Sequence, residues 1–150
     1  MNVFACITKA VNRLLFGKED PVDALARIAK AADGLLFSSE ADYPLEPFTW
    51  TDAAPFAPEA LYKLTSLPAT APVTQVDFNE FFAPMLDLSA DPTPEARARV
   101  AHFRSLVRVL QRTLHDLTVY KLGTVEMPTF IVGHLANETI AGLRTTVVET

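Results

Sequence analysis

Residues 93–114 place Thr-Pro-Glu ahead of a run in which Val100, Phe103, Leu106, Val107, Leu110 and Leu114 recur at helical spacing. Thr93 suits the N-cap, Pro94 the first turn, and Glu95 the positive end of the helix dipole. The pattern predicts a helix from about 94 to 115. Arg97, Arg104, Arg108 and Arg112 fall on roughly the opposite face, which reads as solvated. So long an amphipathic helix needs a second layer to cover its apolar stripe. The chain supplies one directly afterwards. LTVYKLG, MPTFIVG and TIAGLRTTVVE are β-branched and aromatic segments separated by Gly-Thr and Ala-Asn-Glu turns, and they predict a three-stranded antiparallel meander.

Upstream elements are shorter. Asp20-Pro21 reads as an N-cap and first helical residue, followed by an apolar stripe at Leu25, Ile28, Ala29 and Ala32 and a stop at Gly34. LEPFTW predicts a strand near a sheet edge, because Pro47 has no N–H to donate. Pro58 opens a short helix carrying Leu61 and Leu64, TQVDF (74–78) reads as a strand, and NEFFAPM as a helical turn or irregular segment. This order implies an α+β domain over 21–150, with helices packed on a mainly antiparallel sheet. Residues 1–20 form an N-terminal extension. Its apolar residues Val3, Phe4, Ile7, Val11, Leu14 and Leu15 suit a helix docked on the domain or on another copy.

The 150 residues fit one domain with a sizeable core. A single cysteine, Cys6, excludes an intramolecular disulfide and suits a reducing compartment. No apolar run approaches the roughly 20 residues of a membrane span. Lys9 and Arg13 interrupt the only stretch resembling a signal peptide. A cytoplasmic protein without membrane contact is the expectation. The net charge of −5 conceals an asymmetry: residues 31–96 hold eleven acids against one base, Lys63. So acidic a middle argues against direct nucleic-acid binding and favours docking on a basic surface.

Catalytic templates are missing. No phosphate-binding glycine loop, dinucleotide fingerprint or nucleophile elbow occurs. His102, His115 and His134 lack zinc-binding spacing. His102 is expected to flank the core, and His115 to sit at the helix C-terminus, where a cation is favoured. No catalytic residue, cofactor or metal site of its own is expected. The segment LLFSSEADYPLEPFTW (35–50) stands out, with Glu40, Asp42 and Glu46 among aromatics and prolines and no Lys or Arg. Read from its residues, it suits catalysis, a metal ligand, a phosphate mimic or a solvated turn. Its spacing fits no calcium loop.

Several short stretches, taken in order, resemble one known family. Asp33-Gly34-Leu35-Leu36-Phe37, Ser39-Glu40, Tyr43-Pro44 and Phe48-Thr49-Trp50 are similar to the N-terminal core of the nuclease A inhibitors. Val76-Asp77-Phe78 with Phe81-Phe82 resembles its middle. Residues 119–126, Ile131-Val132-Gly133 and 141–150, ending in Val-Val-Glu-Thr, resemble its end. The resemblance implies an α/β/α sandwich and a partner, a sugar-non-specific, Mg2+-dependent endonuclease of the ββα-metal type. It also implies that a glutamate in the Ser-Glu loop faces the nuclease's catalytic Mg2+ through water and that the C-terminal threonine reaches the active site. Those roles fall on Glu40 and Thr150, with Ser39, Asp42, Glu149, Asp87 and Leu88 as further partner-binding positions. The family carries an interface tryptophan in the loop before the long helix; residues 84–91 here have none. A binding module of the same fold with a different partner is the alternative reading.

Overall fold

The computed structural model describes residues 21–50, 58–65, 67–68, 70–88, 93–135 and 139–150. The expected N-terminal helix, the Asp20 cap and the Ala-Asn-Glu turn lie outside them. Helix α1 (Pro21–Ala32) leads into strands β1 (Leu36–Ser38), β2 (Asp42–Pro44) and β3 (Glu46–Trp50), then a 3₁₀ helix (Pro58–Leu64) and β4 (Val73–Val76). Helix α2 (Phe78–Phe82), a second 3₁₀ helix (Ala83–Leu86), α3 (Pro94–Thr113) and strands β5 (His115–Leu122), β6 (Glu126–His134) and β7 (Ile140–Val148) follow.

The strands form an antiparallel five-stranded sheet in the order β3-β7-β6-β5-β4 and a separate hairpin of β1 and β2. The α+β class and the terminal meander are as the sequence predicts. Strand β3 is an edge, as Pro47 requires.

Alternation along the strands sorts side chains onto two faces. One face sends Val119, Met127, Ile131, Ala141, Leu143 and Val147 against α1, α2 and α3. Helix α3 contributes Phe103, Leu106 and Leu110, all fully buried. Each such side chain contributes about 1.5–3 kcal/mol of transfer free energy. The other face packs Leu122, Phe130, Val132 and Ile140 against Leu61 and Tyr62 of the first 3₁₀ helix. The sheet is thus covered on both sides, with a 3₁₀ helix rather than an α-helix as the outer layer on the second face.

Local details follow from capping chemistry. The Thr93 hydroxyl accepts from the Ala96 N–H at 3.2 Å, with Pro94 in the first turn. Gly34 takes φ +78° just past α1, and the Leu35 N–H donates to the Ala32 carbonyl.

Three sequence expectations shift. TQVDF stops being a strand at Val76, because the Asp77 carboxylate accepts from the Asn79 and Glu80 N–H groups and caps α2. Helix α3 ends at Thr113, and Leu114 turns extended as its cap. Leu114 packs so closely on Gly133 that a Cβ there would lie 2.6 Å from the Leu114 Cβ. His115 is therefore not a helix-terminal cation. It is exposed and opens β5 opposite His134, ahead of a bulge at Asp116 (φ 56°). Finally, residues 36–44 are a hairpin, where the sequence shows no obvious strand.

Candidate partner-binding site

Residues 39–41 form the tip of the β1–β2 hairpin, whose register pairs Leu36 with Pro44, Phe37 with Tyr43 and Ser38 with Asp42. The hairpin is anchored from below. Phe37 is buried and stacks on Phe81 with ring centroids 4.4 Å apart and planes 8° off parallel, while its edge meets Phe82 at 6.3 Å. The Thr145 hydroxyl donates to the Tyr43 carbonyl, and the Tyr43 hydroxyl donates to Glu126 at 3.3 Å.

The tip is also joined to the end of the sheet. The Ser39 hydroxyl accepts from the Val148 N–H at 2.9 Å, and the Ser39 N–H donates to the Ala41 carbonyl at 3.0 Å. The Glu40 N–H donates to the Val148 carbonyl at 3.2 Å. Beyond β7, the Glu149 N–H donates to the Val125 carbonyl, and its carboxylate takes an ion pair from Lys121 at 2.8 Å. The Thr150 hydroxyl then donates to Glu40 Oε1 at 2.7 Å. Ser39, Glu40, Asp42, Glu149 and Thr150 are all exposed.

The structure thus gathers Ser39, Glu40, Glu149 and Thr150 at one corner. Asp42 lies on the hairpin strand that leads away from the tip. Asp87 and Leu88 are placed differently: Asp87 is the extended residue ending the second 3₁₀ helix, and Leu88 follows it, half-buried. A groove of about 490 Å³ opens beside the corner, and Pro84 of that 3₁₀ helix lines it.

Sequence reasoning missed the two charged residues Glu80 and Lys121 of this groove. Lys121 carried a usable signal. It follows buried Val119 by two residues and so occupies the core face of β5. A lysine there implies a partner at the strand end. Glu80 carried no such signal, since acids are common in the first turn of a helix.

Among the described residues no group of three or more His, Cys, Asp or Glu side chains is arranged to hold a metal ion. No described helix is long and apolar enough to cross a membrane.

The sequence profile of the nuclease A inhibitor-like proteins matches residues 22–150. The chain belongs to this nuclease A inhibitor-like family. No curated protein matches the chain. Family membership assigns a nuclease-inhibitor-like role in general, with a nuclease as the partner class. The matched span includes the whole hairpin, the Lys121–Glu149 ion pair and Thr150, so the corner just described belongs to the family's domain.

Proposed function

We propose that this chain inhibits a sugar-non-specific, Mg2+-dependent endonuclease by seating the Glu40 tip and Thr150 in its active site. The supporting observation is the 2.7 Å hydrogen bond between Thr150 and Glu40, on a tip already held by Val148. A nuclease active site attracts phosphate oxygens around its cation. A carboxylate presents similar oxygens without a bond to cleave. Thr150 engages only Oε1 of Glu40, which leaves the other oxygen to face a metal-bound water of the nuclease.

Rigidity matters as much as charge. Hairpin, C-terminal segment and core are interlocked, so little conformational entropy remains to be lost on docking. The acids of residues 31–96 would speed encounter with a cationic groove. Neither catalysis nor a cofactor is part of this role. One cysteine and no disulfide suit action in the cytoplasm.

The test is direct. Purified protein is added to several Mg2+-dependent, sugar-non-specific nucleases, and hydrolysis of DNA and RNA is followed. Stoichiometric loss of both activities is expected for at least one. Undiminished hydrolysis by all of them at micromolar excess would sink the reading and leave a docking module of the same fold for another protein.

A further inference from the structure

The groove beside the tip holds a group that neither the fold nor the tip uses. Its walls are apolar, built from Phe37, Val76, Phe81, Pro84 and Val147. Most of its polar groups are already engaged: Lys121 is paired with Glu149, and Glu40 accepts from Thr150. Among the groove's charged side chains Glu80 is the exception. Its backbone N–H is fixed by the Asp77 cap at 3.1 Å, which sets the first turn of α2. Its exposed carboxylate has no hydrogen-bond or ion-pair partner among the described residues.

We propose that this groove receives a basic loop of the nuclease partner, an arginine or lysine lying along Val76 and Phe81 with its cationic head at Glu80. The proposal rests on the inhibitor reading and adds a second anchor to the Glu40 tip. The chemistry of the walls selects the occupant. A purely apolar anchor would bury the Glu80 carboxylate unpaired, at a cost of about 1–3 kcal/mol or more. An anionic group would meet Glu40, Glu80 and Glu149 against the single Lys121. A long side chain with a methylene stem and a charged head satisfies both the wall and the carboxylate. At about 490 Å³ the groove also has room for residues flanking that side chain.

Placement beside the tip gives the contact a purpose. Glu40 faces a site chemistry that many metal nucleases share, so it supplies little discrimination among them. A charged anchor in a shaped groove discriminates by whether the partner places a base opposite it.

The experiment compares Glu80→Gln and Glu80→Arg with the wild type and with Glu40→Ala, against a nuclease the wild type inhibits. Glu80 is exposed but lies in the first turn of α2, so Glu80→Gln should unfold close to the wild-type temperature and Glu80→Arg slightly below it. Inhibition should weaken by at least about tenfold for Glu80→Gln and further for Glu80→Arg, mainly through faster dissociation. N-acetyl-arginine-amide should shift the backbone amide resonances of Val76, Glu80 and Val147 in the wild type and not in Glu80→Arg, while N-acetyl-glutamate-amide leaves those of the wild type unmoved. Wild-type inhibition by both Glu80 variants, alongside its loss in Glu40→Ala, would overturn the groove anchor and leave the tip reading intact. A wild-type protein that inhibits no nuclease would instead overturn the reading on which the anchor rests.

Discussion

Glu40 and Thr150 lie 110 positions apart in sequence, yet the Thr150 hydroxyl donates to Glu40 Oε1 across 2.7 Å. One bond thereby joins the tip of a short hairpin to the end of the central sheet. Both residues are exposed, so neither supports the core. Glu40→Ala and deletion of Thr150 should each weaken nuclease inhibition by about thirtyfold or more, the range of an interface hot spot. Thermal unfolding should move by no more than a degree or two. If both variants inhibit like the wild type, the tip is not the inhibitory element.

The Lys121–Glu149 ion pair positions the segment that carries Thr150. The Glu149 side chain is 57% exposed, so the pair contributes at most about 1 kcal/mol to folding. Its larger effect should be local. Lys121→Met should speed hydrogen exchange at the amides of Glu149 and Thr150 and weaken inhibition severalfold, with little change in unfolding temperature. Lys121→Arg should restore both. Unaltered exchange in Lys121→Met would show that the backbone bond from Glu149 to Val125 suffices.

Electrostatic steering predicts a salt signature. The acids around the tip act over distances comparable to the roughly 10 Å Debye length at 0.1 M salt. The association rate with the nuclease should therefore fall as salt rises from about 20 to about 300 mM, while dissociation changes less. An association rate that stays flat would make the acidic middle incidental to encounter.

Much of this fold is legible in sequence because its signals are local. Thr93-Pro94 caps α3, β-branched alternation marks β5 to β7, and Pro47 marks an edge. The boundary at His115 is not legible, because no glycine or proline stops α3; it ends where Leu114 packs on Gly133, a contact made through tertiary structure. The hairpin at 36–44 is hidden for a related reason. Its strands are three residues long, and Phe81, Val148 and Thr145 hold them from distant parts of the chain. Glu40 and Thr150 are picked out by family resemblance alone; no spacing rule brings residues so far apart together. Glu80 escapes even that, since its place in a groove follows from how α2 meets the hairpin.

The hairpin's anchor provides a test of whether inhibition needs a rigid tip or only a nearby carboxylate. Phe37 is the hairpin side chain that stacks on Phe81, at 4.4 Å, and it is 5% exposed. Phe37→Ala should cost about 3–5 kcal/mol, as for other buried phenylalanines cut to alanine. Phe37→Leu retains most of the apolar volume and should cost less, so the fold persists while the aromatic stack is lost. In Phe37→Leu, amide exchange at residues 39–41 should quicken, and inhibition should weaken by about tenfold as the tip's orientation becomes something docking must impose. The Glu40 carboxylate is still present in this variant. Wild-type inhibition together with quickened exchange would show that the carboxylate acts without preorganisation, and that the stack serves stability alone.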